Sequence, residues 1–199
     1  MLKLLLPLGI ALALSPTLAG QWAHHRCAAG DKDYDPGHGL AQQRPTAGYD
    51  LALTVGPEDW YDPTPLGRDA LDWLKAAGVS YFNWFSPGSW AKNRRSALVG
   101  FRMLTGRRYE VCAYVNDPEG GFRYDGVQTL AVGDTVRVRY RLDGDTAAYE
   151  LTGPAGSTKV SFPDFTAGSR QVNVGPWHGG SLPAPQDTGL WTDFRLADD

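Results

Sequence analysis

The sequence predicts an all-β fold, a sandwich of two antiparallel sheets. The clearest signal is the segment from Asp134 to Thr152, in which apolar and polar residues alternate along two stretches joined by Asp143-Gly144. Alternation with a period of two is typical of a strand with one buried face, and an Asp-Gly pair favours a tight hairpin turn. Similar stretches recur after Arg95, and the chain's 24 glycines and 14 prolines supply the turns that short strands need.

The first 19 residues have the pattern of a secretory signal peptide. Lys3 precedes an apolar run from Leu4 to Leu14, and Thr17 and Ala19 suit the −3 and −1 positions of a cleavage site. The run is shorter than the roughly 20 residues that span a bilayer, so a retained anchor is the lesser alternative. We therefore expect a secreted or periplasmic protein with no membrane span after the signal is removed.

Residues 20–199 are long enough to bury a full core, and we expect them to form a single β-sandwich domain. Residues 20–88 are expected to be largely irregular, with one strand and one helix, and residues 89–199 to carry the main strands. Strands are predicted at residues 49–55, 95–103, 109–116, 122–130, 135–142, 146–152, 157–162, 170–175 and 188–196.

The one predicted helix covers residues 65–77. Thr64 can cap it, Pro65 suits its first position, and Gly78 can close its end. Four apolar residues share one face of such a helix: Ala70, Trp73, Leu74 and Ala77.

A two-residue loop at Asp143-Gly144 would fix the register of the best-defined hairpin. Arg137 would then face Glu150 on the polar side, where an ion pair contributes only a few tenths of a kcal/mol. Each large side chain buried on the other side contributes about 1.5–3 kcal/mol. Packing of the apolar face is therefore expected to decide the fold.

The chain has two cysteines, Cys27 and Cys112. In an exported protein an even pair predicts a disulfide, which here would tie the N-terminal segment to a central strand. Closing so long a loop would stabilise the fold by about 4–5 kcal/mol. The alternative is two unpaired thiols.

Charge and motif content narrow the possible partners. The formal net charge of −3 gives no reason to expect a nucleic acid. Asp31, Asp33 and Asp35 superficially match a calcium loop, but Pro36 and Gln42 stand where an EF-hand needs Gly and Glu. We therefore expect no metal or cofactor, with a looser Ca²⁺ site as the alternative.

Carboxylates crowd the loop before the predicted helix, at Glu58, Asp59 and Asp62. Paired carboxylates can hydrolyse glycosides, but only across a cleft at a defined separation. Turn preferences and the dipole of the following helix already explain the cluster. It therefore gives little support to a catalytic site.

Aromatic residues are concentrated after the predicted helix. Trp84, Phe85 and Trp90 surround Pro87 and Gly88 in a predicted loop. Exposed flat rings in loops are surfaces on which sugars stack, although the same rings could instead plug one end of the sandwich.

A basic stripe lies on the polar face of one predicted strand. Arg137, Arg139 and Arg141 alternate along it and could hold an acidic glycan through guanidinium–carboxylate pairs. A solvated face is the default interpretation.

Two segments resemble a group of largely uncharacterised bacterial exported proteins. One has an Asn-x-x-Ser-Ala strand entry, here Asn93 to Ala97, and the other a Gly-Gly…Ala-Pro-His-Asp closing loop, here Gly179 to Asp187. Gln186 replaces the His of that loop, and Trp177-His178 replaces a Tyr-Phe pair. The resemblance implies a concanavalin-like jelly roll, an architecture shared by many lectins and glycan-cleaving enzymes. Such a likeness of fold does not assign an activity.

We therefore expect an exported protein that binds carbohydrate or cell-envelope glycan without catalysis. The residues expected at the ligand site are Trp84, Trp90, Asn93, Arg139, Trp177 and His178. The first alternative is a polysaccharide lyase or glycoside hydrolase, in which His178 or a tyrosine acts as base and Arg139 neutralises charge in one cleft. The second is a structural or surface interaction module.

Overall fold

The structure is a computed structural model that describes residues 21–37, 42–83 and 94–197. It has twelve strands and one 3₁₀ helix, Thr64–Leu71. The strands are β1 (Ala23–Cys27), β2 (Gln42–Gln43), β3 (Gly48–Thr54), β4 (Leu74–Phe82), β5 (Ser96–Leu104), β6 (Arg108–Asn116), β7 (Phe122–Ala131), β8 (Thr135–Asp143), β9 (Thr146–Gly153), β10 (Gly156–Phe162), β11 (Arg170–Val174) and β12 (Thr188–Leu196).

The strands form two six-stranded antiparallel sheets. Sheet A has the order β1-β12-β3-β8-β9-β10, and sheet B the order β2-β11-β4-β5-β6-β7. This confirms the predicted fold class, a jelly-roll sandwich of two sheets with one short helix. The predicted signal peptide lies outside the described residues.

The two inward faces enclose the main core, as period-two alternation requires. Buried tyrosines bridge the sheets there: the Tyr81 and Tyr140 hydroxyls lie 3.1 Å apart, and the Tyr49 hydroxyl donates to the Ala97 carbonyl at 3.3 Å. These contacts satisfy buried hydroxyls, which would otherwise destabilise the fold because they have lost their hydrogen bonds to water. Burial also raises the pKa of Tyr81 to about 12, so it stays protonated.

The β8–β9 hairpin forms, but in a different register from the predicted one. Arg139, and not Arg137, faces Glu150, because the loop is Gly144-Asp145 and not Asp143-Gly144. Of the two loop residues only Gly144 has a positive φ, 56°, as in a type II′ turn with Gly at its first central position. The shift is by two residues, so the same face of each strand stays buried.

The predicted helix over residues 65–77 is wrong in its second half. The helix ends at Leu71, and Trp73 is followed by β4, whose residues are all buried. A strand buried on both faces reads as a continuous apolar run, which a helical period also fits. The region expected to be largely irregular also holds β1, paired antiparallel with β12, and β2.

The predicted disulfide is absent from the structure, because its two cysteines lie on different faces of different sheets. Cys27, on β1, packs in the core between the sheets, whereas Cys112, on β6, packs on the outer face of sheet B. Both are free, buried thiols. Burial raises the pKa of Cys27 to about 11 and that of Cys112 further still.

Sheet B carries a second, smaller hydrophobic cluster on its outer face. It consists of Trp73, Phe82, Leu98, Cys112, Tyr114, Val172 and Val174, with Trp177 packed against it. A Cβ atom at Gly100 would lie 2.8 Å from the Cys112 sulfur and 3.4 Å from Trp73 Cε3. The missing side chain at Gly100 thus lets the Trp73 indole lie close to the sheet. Within the described part of the chain, no helix is long and apolar enough to cross a membrane.

Candidate functional site

An open cleft lies on the outer face of sheet B, beside its edge strand β7. We call it the aromatic cleft. Its volume is about 280 Å³, near the lower end of the roughly 300–1,000 Å³ usual for small-molecule sites. The residues lining it are Leu71, Asp72, Trp73, Lys75, Tyr114, Phe122, Tyr124 and Gly180.

Strand pairing places three rings in one row on this face. Tyr114 of β6 pairs directly with Tyr124 of β7, and Phe122 lies two residues before Tyr124, so all three side chains point outward. Tyr114 and Phe122 stack with centroids 5.5 Å apart and planes 8° apart, and Phe122 and Tyr124 with values of 6.4 Å and 15°. Phe122 is 59% and Tyr124 46% exposed. The result is a row of nearly parallel rings, of which Phe122 and Tyr124 are open to solvent.

Trp73 lines the aromatic cleft next to Tyr124. Its ring lies 5.3 Å from that of Tyr124, and the Arg102 guanidinium stands 4.4 Å from its centre in a cation–π contact. Arg102 is held in turn by Glu110, at 2.7 Å. The Trp73 indole N–H is buried and has no hydrogen-bond acceptor among the described residues.

Lys75 also lines the cleft, and it is only 8% exposed. Its Nζ donates to the Trp73 carbonyl at 2.6 Å and lies 4.0 Å from the centre of the Tyr114 ring. Burial lowers the pKa of Lys75 to about 8, although Cys112 and Asp72 oppose the shift. Over residues 21–37, 42–83 and 94–197, no carboxylate forms an ion pair with it.

Of the predicted ligand residues, Trp84, Trp90 and Asn93 lie outside the described residues. Trp177 is half-buried and belongs to the rim of the outer cluster, where its backbone exchanges two hydrogen bonds with Lys75. The structure therefore places Trp177 next to the aromatic cleft.

His178 is buried, with 4% of its surface exposed. Its Nε2 lies 3.2 Å from the Tyr61 hydroxyl, and its Nδ1 3.2 Å from the Gly179 carbonyl. Burial lowers the pKa of His178, although the Gly179 carbonyl opposes the shift. These contacts describe a histidine held inside the closing loop.

Arg139 lies on the outer face of sheet A. It donates to Asp50 at 3.1 Å, and Arg141 holds the same carboxylate at 3.0 Å. The groove that contains Arg139 is lined also by Trp22, Arg137 and Glu150, and His178 is not among its lining residues. The structure thus separates His178 from Arg139, one of the base–cation pairs of the lyase alternative.

A third cleft is acidic. Asp31, Asp33 and Asp35 line it together with Glu58, Asp59 and Asp187. His24 Nε2 lies 2.8 Å from Asp59, and the His24 ring stacks on Trp191 at 4.3 Å. No group of three or more Asp, Glu, His or Cys side chains in the described ranges is arranged to hold a metal ion.

Sequence reasoning missed the residues of the aromatic cleft. One local signal was available: Phe122 and Tyr124 alternate directly after Gly120-Gly121, so they share one face at the start of a strand. No local signal brings Trp73 and Lys75 to them, because the contact depends on the sheet order.

Comparison with known proteins bears on the fold. No family model and no curated protein matches the chain. The chain is similar to a functionally unknown protein from Saccharomyces cerevisiae, with 10% identity and a TM-score of 0.52, over 90% of this chain and 96% of that one. This likeness shows that the two proteins share a fold, and it says nothing about their activities.

Two further solved structures are similar at lower scores. One is a prokaryotic β-1,3-1,4-glucanase (lichenase) from a mouse hindgut metagenome, with 9% identity and a TM-score of 0.38, over 87% of this chain and 78% of that one. The other is a legume lectin-like domain from Entamoeba histolytica, with 10% identity and a TM-score of 0.37, over 89% and 90%. With TM-scores below 0.5, neither carries an argument about this chain.

Proposed function

We propose that the protein binds carbohydrate or cell-envelope glycan, without catalysis, in the aromatic cleft. The observation that carries the proposal is the pair of exposed, nearly parallel rings of Phe122 and Tyr124 beside buried polar donors. Sugars present one apolar face of C–H groups and a rim of hydroxyls, which is the complement of such a surface.

The polar groups of the cleft support the same ligand class. The Trp73 indole N–H has no acceptor among the described residues, and Lys75 offers N–H groups beyond the one used on the Trp73 carbonyl. A sugar hydroxyl or ring oxygen can accept from the Lys75 ammonium, whereas the Trp73 indole N–H is itself enclosed by protein atoms. A purely apolar ligand that covers Lys75 would leave its remaining N–H groups without acceptors, at a cost of about 1–3 kcal/mol.

The separation of His178 from Arg139 supports binding over lyase chemistry. A lyase needs its base and its charge-neutralising group on the same substrate residue. His178 is instead buried against Tyr61, and Arg139 is paired with Asp50 on the other sheet.

Export belongs to the same proposal, because envelope glycans lie outside the cytoplasm. It rests on the signal pattern of residues 1–19. N-terminal sequencing of the protein recovered from the periplasm or medium tests it, and we expect the mature chain to begin at Gly20.

A glycan array with the purified protein tests the binding, followed by calorimetry on the best ligand. We expect a Phe122→Ala/Tyr124→Ala double variant to weaken binding at least tenfold, about 1.4 kcal/mol, because the stacking surface is lost. Both rings are exposed, so the variant should fold normally.

Trp22→Ala is the matched control, because Trp22 is a comparably exposed ring that lines the groove on sheet A. We expect it to leave the affinity unchanged. Loss of binding in Trp22→Ala with retention in the double variant would move the site to sheet A. Release of reducing ends or unsaturated sugars from the bound ligand would contradict the non-catalytic part of the proposal.

A further inference from the structure

The aromatic cleft contains a buried lysine that forms no ion pair with any carboxylate of the described residues. Lys75 is buried on the outer face of sheet B, and its described contacts are the Trp73 carbonyl and the Tyr114 ring. Lysine is almost never fully buried unless it is paired. A neutral carbonyl and a ring face recover only part of what the ammonium loses on leaving water.

The site is open to solvent, so a bound ligand can supply the counter-charge that Lys75 lacks. Lys75 lines a cleft that solvent can enter, next to the unpartnered indole N–H of Trp73. A positive charge with free N–H groups beside exposed rings favours a ligand that carries both a sugar ring and an anionic oxygen.

We propose that the aromatic cleft selects an acidic sugar, a uronic acid whose ring stacks on Phe122 and Tyr124 while its carboxylate pairs with Lys75. This inference rests on the proposed function and names the ligand class for the same site.

One group at the rim opposes an anionic ligand. Asp72 is exposed, lines the cleft, and is close enough to Lys75 to influence its titration. Replacing its charge should therefore strengthen the binding of an acidic sugar. The other charged or titratable groups around Lys75 are Arg102 of β5, Glu110, Cys112 and Tyr114 of β6, and Tyr124 of β7.

The pH dependence of binding follows from Lys75. In the ligand-free protein, burial lowers the pKa of Lys75 to about 8, so the ammonium loses its proton as the pH rises through that value. Burial raises the pKa values of Cys112 and Tyr114, so neither titrates in this range. The affinity for a carboxylate ligand should then fall with rising pH, by up to about tenfold per unit.

Calorimetry with uronic acid oligosaccharides and their fully methyl-esterified forms tests the inference. The two forms share linkage and shape and differ in charge. For the wild-type protein at pH 7 we expect the acid form to bind at least tenfold more tightly. Between pH 7 and 9.5 its affinity should fall while that of the ester stays constant.

Three variants sharpen the test. Lys75→Met should remove the preference for the acid form, and Asp72→Asn should increase it severalfold. Lys159→Met removes an exposed charge on sheet A and should change neither affinity. Should Lys75→Met not fold, the pH series on the wild-type protein decides.

The outcomes separate the two proposals. Equal binding of acid and ester at every pH, with loss of both in Phe122→Ala/Tyr124→Ala, would overturn the acidic-sugar inference and leave glycan binding intact. Absence of binding to any glycan on the array would overturn the proposed function and this inference with it.

Discussion

At the scale of single residues, the site depends on a missing side chain in sheet B as much as on the side chains that line it. Gly100 lies between Lys75 of β4 and Cys112 of β6 in the sheet. Because it has no side chain, the Trp73 indole can pack over Cys112 and form one side of the aromatic cleft.

A Gly100→Ala variant should therefore destabilise the fold. The new methyl group would meet the Cys112 sulfur at 2.8 Å, and overpacking of this kind costs about 1–3 kcal/mol. Urea unfolding measures the change. In a Cys112→Ala background the cost should be clearly smaller, and an equal cost in both backgrounds would show that the contact is not the cause.

The cysteines show a limit of sequence reasoning at this scale. Two cysteines in an exported chain are compatible with a disulfide, but the number of cysteines does not say where they lie in the fold. Cys27 faces the core between the sheets, as does Val111. Cys112 is the next residue after Val111 on the same strand, so its side chain points to the outer face of sheet B. Only the assignment of faces reveals that they do not meet.

At the scale of elements, alternation predicted the strands well where one face is buried. The strands expected from residue 95 onward, and the one over 49–55, appear within a residue or two of their predicted bounds. β4 was missed because both of its faces are covered, by the main core and by the outer cluster. Its mostly apolar sequence, interrupted by Lys75 and Ser80, then shows no alternation by which to recognise a strand.

The β8–β9 turn gives a prediction at this scale. Gly144→Ala should cost about 1–2 kcal/mol, because an alanine at φ 56° is strained although its space is open. Asp143→Ala, at the neighbouring strand end, should change the free energy of unfolding by less than about 0.5 kcal/mol. Denaturant titration of both variants decides it, and a comparable cost for Asp143→Ala would favour the Asp143-Gly144 turn, in which both residues have a positive φ.

At the scale of the whole molecule, the jelly roll keeps its cysteines apart and places the proposed recognition surface on one sheet. The site could not be predicted from the sequence, since Lys75, Tyr114 and Phe122 meet only through the order β4-β5-β6-β7. The many aromatic residues of the sequence suggested the proposed ligand class. The ring pair that carries the proposal lies on β7 and was not among the residues predicted at the ligand site.

Thiol titration tests the arrangement of the whole chain. The folded protein should react very slowly with a thiol reagent, because Cys27 and Cys112 are buried and burial raises the pKa of both. In denaturant without reductant, two thiols per chain should react. Finding none would show a disulfide and would require β1 and β6 to lie differently.

We expect the ligand to enter the aromatic cleft and to lie beside Trp73, Phe122 and Tyr124. Titration of ¹⁵N-labelled protein with the best glycan from the array, followed by NMR, tests it most directly. We expect the Trp73 indole N–H signal, assigned with Trp73→Phe, to shift on saturation together with the amides of Phe122 and Tyr124. Saturating binding that leaves these signals in place and shifts Trp22 and Arg139 instead would contradict the account.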